Sequence, residues 1–493
     1  MTVLDTIRAE RGESSPLVDA MKELYEELQR YAKEGIYPMH MPGHKRNTEV
    51  LSMDPAAWDI TEVTGFDNLQ DPKEILKDVE VRIKTLYGSA ASFLCVNGSS
   101  GSLLAAMKAC GKHGDMILMA RNCHKSVYHG CMAFGFRPVY LYPEWREKDG
   151  ISGEILPETV ELGLKEHPEA SFVLIISPTY DGVVSDIQAI SEICHSHHVP
   201  LIVDEAHGAH FAFHEIFPET AVRQGADLII HSVHKTLPAL TQTSALHLGP
   251  HAEEFGITRE RMKECINLLQ TTSPSYVLMA SVAECYRVIE ECGETLFEAY
   301  AKRLRWFYEG CEDLKKVRVL PMESARDPGK VVISLKGTNL TGREATEILR
   351  KQYQIETEMD SGDLVIALTS VADTDEGFQR LLRGVHGLDA MVQMVPSGDT
   401  SIRLPRAEVV ISPEEAWDME ENERVWVEKD ALLGAISLEY VYLYPPGIPI
   451  LAPGERVTED VLKVFEKAEA ERQVLKGARK KGGLFVARDS QRQ

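Results

Sequence analysis

The stretch HSVHKTLPALTQTSALHL, His231–Leu248, follows the apolar run DLII and sets Lys235 between a histidine and a threonine where the chain should be turning inward. An unpaired ammonium is costly to bury. Lys235 is therefore either a surface residue or one held by a group that needs it. From about Ala90 to Gly249, the runs DMILMA, RPVYLYP, SFVLIISP, PLIVDEA, DLIIHS and SALHLG read as strands. Between them, DIQAISEICHSHHV sets Ile187, Ile190, Ile193, Cys194 and His197 on one helical face, and FPETAVRQGA reads as a shorter helix. Strands apolar along their whole length and alternating with helices imply an α/β fold with a mostly parallel sheet covered on both faces. Ligands of such sheets gather at the carboxyl ends of the strands.

At 493 residues the chain exceeds one simple core, so two or three domains are expected. A helical stretch, LVDAMKELYEELQRYAKEG, precedes the alternating region. Ala280 to about Leu314 reads as helix, and KVVISLKG, TGREATEILRKQY and DLVIALTS form a second, smaller α/β unit. MVPSGDTSIRLPRAEV lacks periodicity and leads into a third piece, whose basic tail KGARKKGGLFVARDSQRQ reads as a fraying end. A net charge of −23 disfavours nucleic acid and anionic membrane surfaces as partners. Nine cysteines without a C-x-x-C pair fit a reducing cytosol better than a disulfide framework. The N-terminal MTVLDTIRAERGESS holds no apolar stretch that could be a signal peptide, and no run approaches membrane-spanning length, so a cytoplasmic location is expected.

Asp204 closes the run PLIV, and Lys235 follows 31 residues later, about one βαβ unit along. An isolated Asp at a strand end is usually a satisfied core group. Right-handed crossovers, however, would keep both strand ends on one edge of the sheet. A carboxylate and an amine facing one cleft are the pair that pyridoxal phosphate requires: an acid to keep its ring nitrogen protonated and an amine to form a Schiff base. NGSSGSLLAAMKAC offers a small-residue loop opening into a helix, where amides and the hydroxyls of Ser99, Ser100 and Ser102 could cradle a phosphate. Alone, such a loop is usually only a turn and cap. Ser232 and His234 flank Lys235, and His124 follows the DMILMA strand, where an imidazole could stack on the pyridine ring. The letters DEAH match a helicase box, but no G-x-x-x-x-G-K-[ST] accompanies them. His207, His210 and His214 with Asp204 and Glu205 lack H-E-x-x-H, and a strand-to-loop segment would aim them apart, so no metal is expected.

Together, SVHKTLPALTQTSAL, VDEAHGAHF, NGSSGS, MPGHKRN and YPPGIPILAPGE resemble the Orn/Lys/Arg decarboxylase family of fold type I pyridoxal phosphate enzymes, in order from about residue 36 to 460. The resemblance implies an N-terminal helix and arm (1–45), a large cofactor-binding domain (46–300), a small α/β domain (301–395) and a C-terminal domain (396–493). It is to the short bacterial members, without the wing domain of the longer ones. It further implies that Lys235 is the Schiff-base lysine, Asp204 the partner of the pyridinium nitrogen and His124 the stacking ring. Ser99, Ser100, Gly101, Ser232 and His234 would then surround the phosphate, and His207 would flank the cofactor ring. Thr271, in QTTSPSY, would reach the phosphate of the neighbouring subunit, making a homodimer with the active site at its interface.

The reaction implied is decarboxylation of a basic amino acid, arginine first and then lysine or ornithine, with Lys235 or His207 returning a proton to the Cα atom. Glu358 and Asp360, in IETEMDSGD, are candidate partners for the distal end of the substrate; each could equally be part of an exposed acidic turn. Arg403 and Arg406, in SIRLPRA, could instead clamp a substrate carboxylate in an aminotransferase, and a catalytically silent cofactor-binding regulator is the reading from another class.

Overall fold

Seven runs, all but the third buried along nearly their whole length, make the central sheet: β1 (Ala91–Cys95), β2 (Met116–Ala120), β3 (Arg137–Leu141), β4 (Val173–Ile176), β5 (Leu201–Asp204), β6 (Leu228–His231) and β7 (Ser244–Leu248). The computed structural model describes residues 33–50, 55–396, 403–443, 447–470, 475–480 and 482–488. The strand order is β1-β7-β6-β5-β4-β2-β3, parallel throughout except for β7, which runs antiparallel to both neighbours. The six runs expected from the sequence are β2 to β7. The seventh, ASFLC, is short and partly made of small residues, and it gains its strand character from pairing with β7.

Around this sheet lie α1 (Gly98–Cys110), α2 (Lys125–Phe134) and α3 (Ile187–Ser196). Asp186 caps α3 by accepting from the Ala189 amide at 3.0 Å, and the helix buries Ile187, Ile190 and Cys194 as its spacing predicts. Ile193 is half-buried, and His197 closes the last turn. FPETAVRQGA is not a helix but a series of turns. The buried Glu205 side chain accepts from Thr220 Oγ1 at 2.6 Å and from the Ala221 amide at 2.8 Å, the latter a backbone donor that a helix would have used, and Gly225 turns the chain with φ +89°.

Lys235 lies in α4 (Val233–Thr236), a single turn directly after β6. The 34-residue α5 (Tyr276–Glu309) carries the chain to a smaller antiparallel sheet, β8 (Arg318–Val319), β9 (Lys330–Ser334), β10 (Met359–Ser361) and β11 (Leu364–Leu368), in the order β8-β9-β11-β10. The helix Gly342–Tyr353 packs with this sheet and opens with a capping box between Thr341 and Glu344. The N-terminal arm joins the same unit, because Tyr37–Met39 pairs in parallel with Ile355–Thr357. Most of the helical stretch expected before that arm lies outside the described residues. So does the middle of MVPSGDTSIRLPRAEV. Within the tail expected to fray, Gly483–Ala487 pairs antiparallel with Arg424–Glu428, and Glu439 accepts from the amides of Arg479 and Phe485 at 2.8 and 2.9 Å. No helix among the described residues is long and apolar enough to cross a membrane.

Three neighbouring strands are tied by a buried file of polar groups. Glu205 lies 2.6 Å from His231 Nε2, His231 Nδ1 lies 3.0 Å from His247 Nε2, and His247 Nδ1 lies 2.8 Å from Ser92 Oγ. Ser92 and His247 are register partners across β1 and β7. Ser92 in turn lies 2.8 Å from Ser89 Oγ. Burial pushes the Glu205 carboxyl up to about 8 and His231 down to about 3. With Glu205 neutral, each donor in the file meets an acceptor in one consistent direction.

The folded protein keeps the Glu205 proton over a pH range in which the unfolded chain has lost it, so this group's contribution to stability declines as pH rises from about 5 to 8. Glu205→Gln removes that titration. Urea unfolding across this range should show the variant gaining on the parent by roughly 1 kcal/mol per pH unit, and parallel curves would contradict a neutral Glu205.

Candidate active site

The parallel pairing of β5 with β6, with Asp204 opposite Ile230, brings the end of one strand and the turn after the other to the same sheet edge. Asp204, Lys235, His207, His124, Ser99 and Asn122 all line one cavity of about 450 Å³ there. The parallel direction of the strands puts them on a common edge although the chain separates them. Asp204 is buried and accepts from the Ala206 amide at 3.2 Å. Burial pushes its carboxyl up and the Lys235 ammonium down, while the charge of each offsets the shift in the other.

His207, on the turn after β5, lies between two amines. Its Nε2 is 2.9 Å from Lys235 Nζ and its Nδ1 is 2.7 Å from Lys330 Nζ. Burial, then the charges of Lys235 and Lys330, hold the ring well below the ordinary histidine range. Tyr180 meets the His207 ring edge-on at 4.8 Å and donates to Glu358 Oε1 at 2.8 Å. Burial also pushes His124 down to about 4, so its ring is neutral. Its Nδ1 accepts from the Ser126 amide at 3.3 Å and caps α2, which fixes the imidazole at the cavity wall.

The small-residue loop forms the first turn of α1. Ser99 Oγ lies 3.2 Å from Ser232 Oγ, so hydroxyls from two segments converge at the helix N-terminus. A Cβ at Gly101 would come within 2.8 Å of Asn97 Cβ, so the turn closes only with glycine there. Ser100 is exposed. His234 Nδ1 lies 3.0 Å from the Thr243 carbonyl, which accepts its proton; burial pushes the ring down to about 4 and leaves Nε2 an acceptor. An adjoining dianion would favour the second proton. Thr271 is exposed, its hydroxyl donating to the Thr272 carbonyl at 3.0 Å, and it does not line the cavity.

These groups fit pyridoxal phosphate. Hydroxyls and amides at a helix start suit the phosphate, a neutral ring suits stacking, and the burial that opposes ionisation of Asp204 would be offset by a cationic ring nitrogen. The buried Asn122 Oδ1 has no hydrogen-bond partner and lines the same cavity, leaving one acceptor for a bound molecule. The three histidines considered for a metal diverge: His207 meets the two lysines, His210 Nε2 meets Asp327 at 3.2 Å, and His214 Nε2 meets Glu298 at 3.0 Å.

Glu358 and Asp360 do not line the cavity; Met359 and Ser361 do, as strand alternation requires. Glu358 spends its second oxygen on the Met41 amide at 2.8 Å. Glu144, Asp181 and Asp363 line the cavity instead. Arg403 and Arg406 both reach it, Arg403 paired with Glu147 at 2.6 Å and Arg406 over the Tyr142 ring at 4.0 Å. Sequence reasoning missed Lys330, Tyr180 and Asn122. For Lys330 a signal existed: a charge opening the buried run KVVIS, the mirror of Asp204 closing PLIV.

Two further segments fix the walls. In MPGHKRN, the Gly43 amide donates to the His234 carbonyl at 2.7 Å, and a Cβ there would lie 2.8 Å from Leu237 O. The buried Lys45 ammonium donates to His40 O at 2.8 Å and to Leu368 O at 2.5 Å. On the other side, the buried Arg121 donates to Tyr128 OH at 2.6 Å, Pro449 O at 2.6 Å, Ile450 O at 2.9 Å and Glu455 Oε2 at 3.3 Å. Ile448 and Ile450 of that segment line the cavity. Arg121→Met, which strands the Glu455 carboxylate, should destabilise the protein by about 3–5 kcal/mol. Adding Glu455→Leu should recover part of that loss in chemical unfolding; equal stability of parent and single variant would refute the role of this pair.

Residues 22–320 match the family described as Orn/Lys/Arg decarboxylase, major domain, and residues 400–480 match its C-terminal domain. The chain is 32% identical to an arginine decarboxylase of Bacillus anthracis, covering 90% of this chain and 92% of that one. It is likewise 32% identical to an arginine decarboxylase of Bacillus subtilis (strain 168), covering 91% and 94%. Among solved structures, the lysine decarboxylase LdcF of Francisella novicida shares the fold, with a TM-score of 0.74 at 20% identity over 97% of this chain and 87% of that one. A family match over most of the length, together with relatives at this identity, establishes that the chain belongs to the Orn/Lys/Arg decarboxylase family.

Proposed function

We propose that this protein decarboxylates arginine to agmatine and CO2, with lysine and ornithine as poorer substrates. The observation that carries the reading is Lys235 set against His207 in a cavity floored by Asp204. The likeness to two arginine decarboxylases supports the substrate. Bound in this cavity, pyridoxal phosphate supplies an electron sink for the pair left behind when the carboxylate departs as CO2. Asp204 would hold the ring nitrogen in its cationic form. His124 would support the ring, and the Ser99 and Ser232 hydroxyls with the start of α1 would hold the phosphate. The Lys235 amine would anchor the cofactor and yield its place to the substrate amine.

The carboxylates of Glu144, Asp181 and Asp363 on the cavity wall favour a cationic distal group. A guanidinium, planar and always charged, gains more from paired carboxylates than an ammonium does. The exposure of Thr271 leaves it free to serve a neighbouring subunit, and we assign the active form as a cytoplasmic homodimer.

Incubation with carboxyl-labelled arginine, lysine and ornithine should release labelled CO2 fastest from arginine, with agmatine as the product amine. Borohydride treatment should fix cofactor to the parent and not to Lys235→Ala, and His207→Phe should lower turnover by about 10²–10⁴-fold. Amino transfer to a keto acid without CO2 would replace this reading with an aminotransferase. Sedimentation velocity should show a dimer, and a monomer with full activity would remove the role assigned to Thr271.

A further inference from the structure

Three groups from three distant segments form one file: Lys330 at the start of β9 in the small sheet, His207 on the turn after β5, and Lys235 after β6. The separations are 2.7 Å and 2.9 Å. A neutral imidazole carries one N–H and one lone pair. Two ammonium groups cannot both donate to it, so both hydrogen bonds form only when one amine is neutral.

The surroundings decide which. The buried Lys330 Nζ also donates to the Tyr180 carbonyl at 2.9 Å and stands over the Tyr180 ring at 5.1 Å, both of which favour a cation. Asp327, Glu358 and Asp181 face it with negative charge; Lys235 faces it with positive. Lys235 is faced by Asp204 and Glu358, and His207 by both lysines, His124 and His234. Asp204, however, is the group that serves the ring nitrogen in the reading above, which leaves Lys235 with less to support its charge. Burial brings Lys330 down to about 7, where it both holds and releases a proton near neutrality.

We propose that Lys330 is a positioning residue and proton store: by donating to His207 Nδ1 it fixes the imidazole proton on Nε2, so that His207 donates to the Lys235 nitrogen or to the carbon that has lost its carboxylate. This inference rests on the cofactor reading for the role of Asp204 and on the decarboxylase reading for the last step. In that step the Nε2 proton leaves for the acceptor as Nδ1 takes one from Lys330. The substrate carbon exchanges its carboxylate, lost as CO2, for a proton; a solvent proton then reaches Nε2 as Nδ1 returns its own to Lys330, which restores the starting state. One proton is consumed for each CO2 released.

The first test uses the unaltered holoenzyme. Histidine ¹⁵N spectra, with the His207 signals assigned by their loss in His207→Gln, should show the proton on Nε2 and a lone pair on Nδ1; a proton on Nδ1 overturns the proposal. The second compares Lys330→Met with Lys330→Arg. Without a cation beside His207, the pH midpoint for attachment of pyridoxal phosphate to Lys235, read by visible absorbance, should rise by about one unit in Lys330→Met. In Lys330→Arg the midpoint should stay near that of the parent, because arginine still donates to Nδ1. Turnover should nevertheless fall by about 10²-fold, because a guanidinium does not release its proton. An unchanged midpoint in Lys330→Met, or full turnover in Lys330→Arg, overturns the proposal. If Lys330→Met does not fold, the spectra of the unaltered protein decide. Absence of CO2 from all three amino acids, with the His207 spectra and midpoints as expected, would sink the decarboxylase reading and leave the placement of Lys330 intact.

Discussion

The parallel register between Leu201–Asp204 and Leu228–His231 is the constraint on which the site depends. A slip of one residue would turn Asp204 to the opposite face of the sheet and take His231 out of reach of Glu205. The two consequences are linked. The file Glu205, His231, His247 and Ser92 is satisfied only in the register that also aims Asp204 and Lys235 into one cleft. Polar groups in so dry a place are costly when unpaired, so the network behind the cleft specifies the geometry in front of it.

The cleft is not the property of the large sheet alone. Gly43 bonds to the chain beside Lys235, and Lys45 bonds to the end of β11, so the N-terminal arm binds both sheets at once. Lys330 and Tyr180 approach His207 from the small sheet and from the loop after β4. Two lysines share one buried imidazole, and neither amine keeps its ordinary basicity there. That shared desolvation separates these amines from the many exposed lysines of an acidic chain.

Much of this was legible in the sequence, and the reasons differ by element. Long apolar runs such as SFVLIISP and PLIV announce buried parallel strands because neither face can meet water. ASFLC was silent because its strand character comes from its partner. FPETAVRQGA carries helical periodicity, but Glu205, fifteen residues upstream of Thr220, holds the Thr220 hydroxyl and the Ala221 amide; tertiary hydrogen bonding overrode local preference. Lys235, Asp204 and His124 stand at strand ends, where the topology alone places them. Lys330 lies 123 residues from His207, and only the folded chain shows that they meet. Glu358 and Asp360 attract attention as acids in a small-domain turn, yet strand alternation gives the cavity their neighbours Met359 and Ser361.

The burial of Arg121 has a consequence for how the chain is made. Its carbonyl partners at Pro449 and Ile450 lie 328 and 329 residues further on. At a ribosomal rate of about 5–20 residues per second, they emerge roughly 15–65 s after Arg121 does. Throughout that interval a guanidinium destined for the interior must stay hydrated, and the wall that Ile448 and Ile450 contribute is missing. The nascent large domain therefore waits with an open flank, and the pocket takes its final shape only when the last tenth of the polypeptide folds back across it.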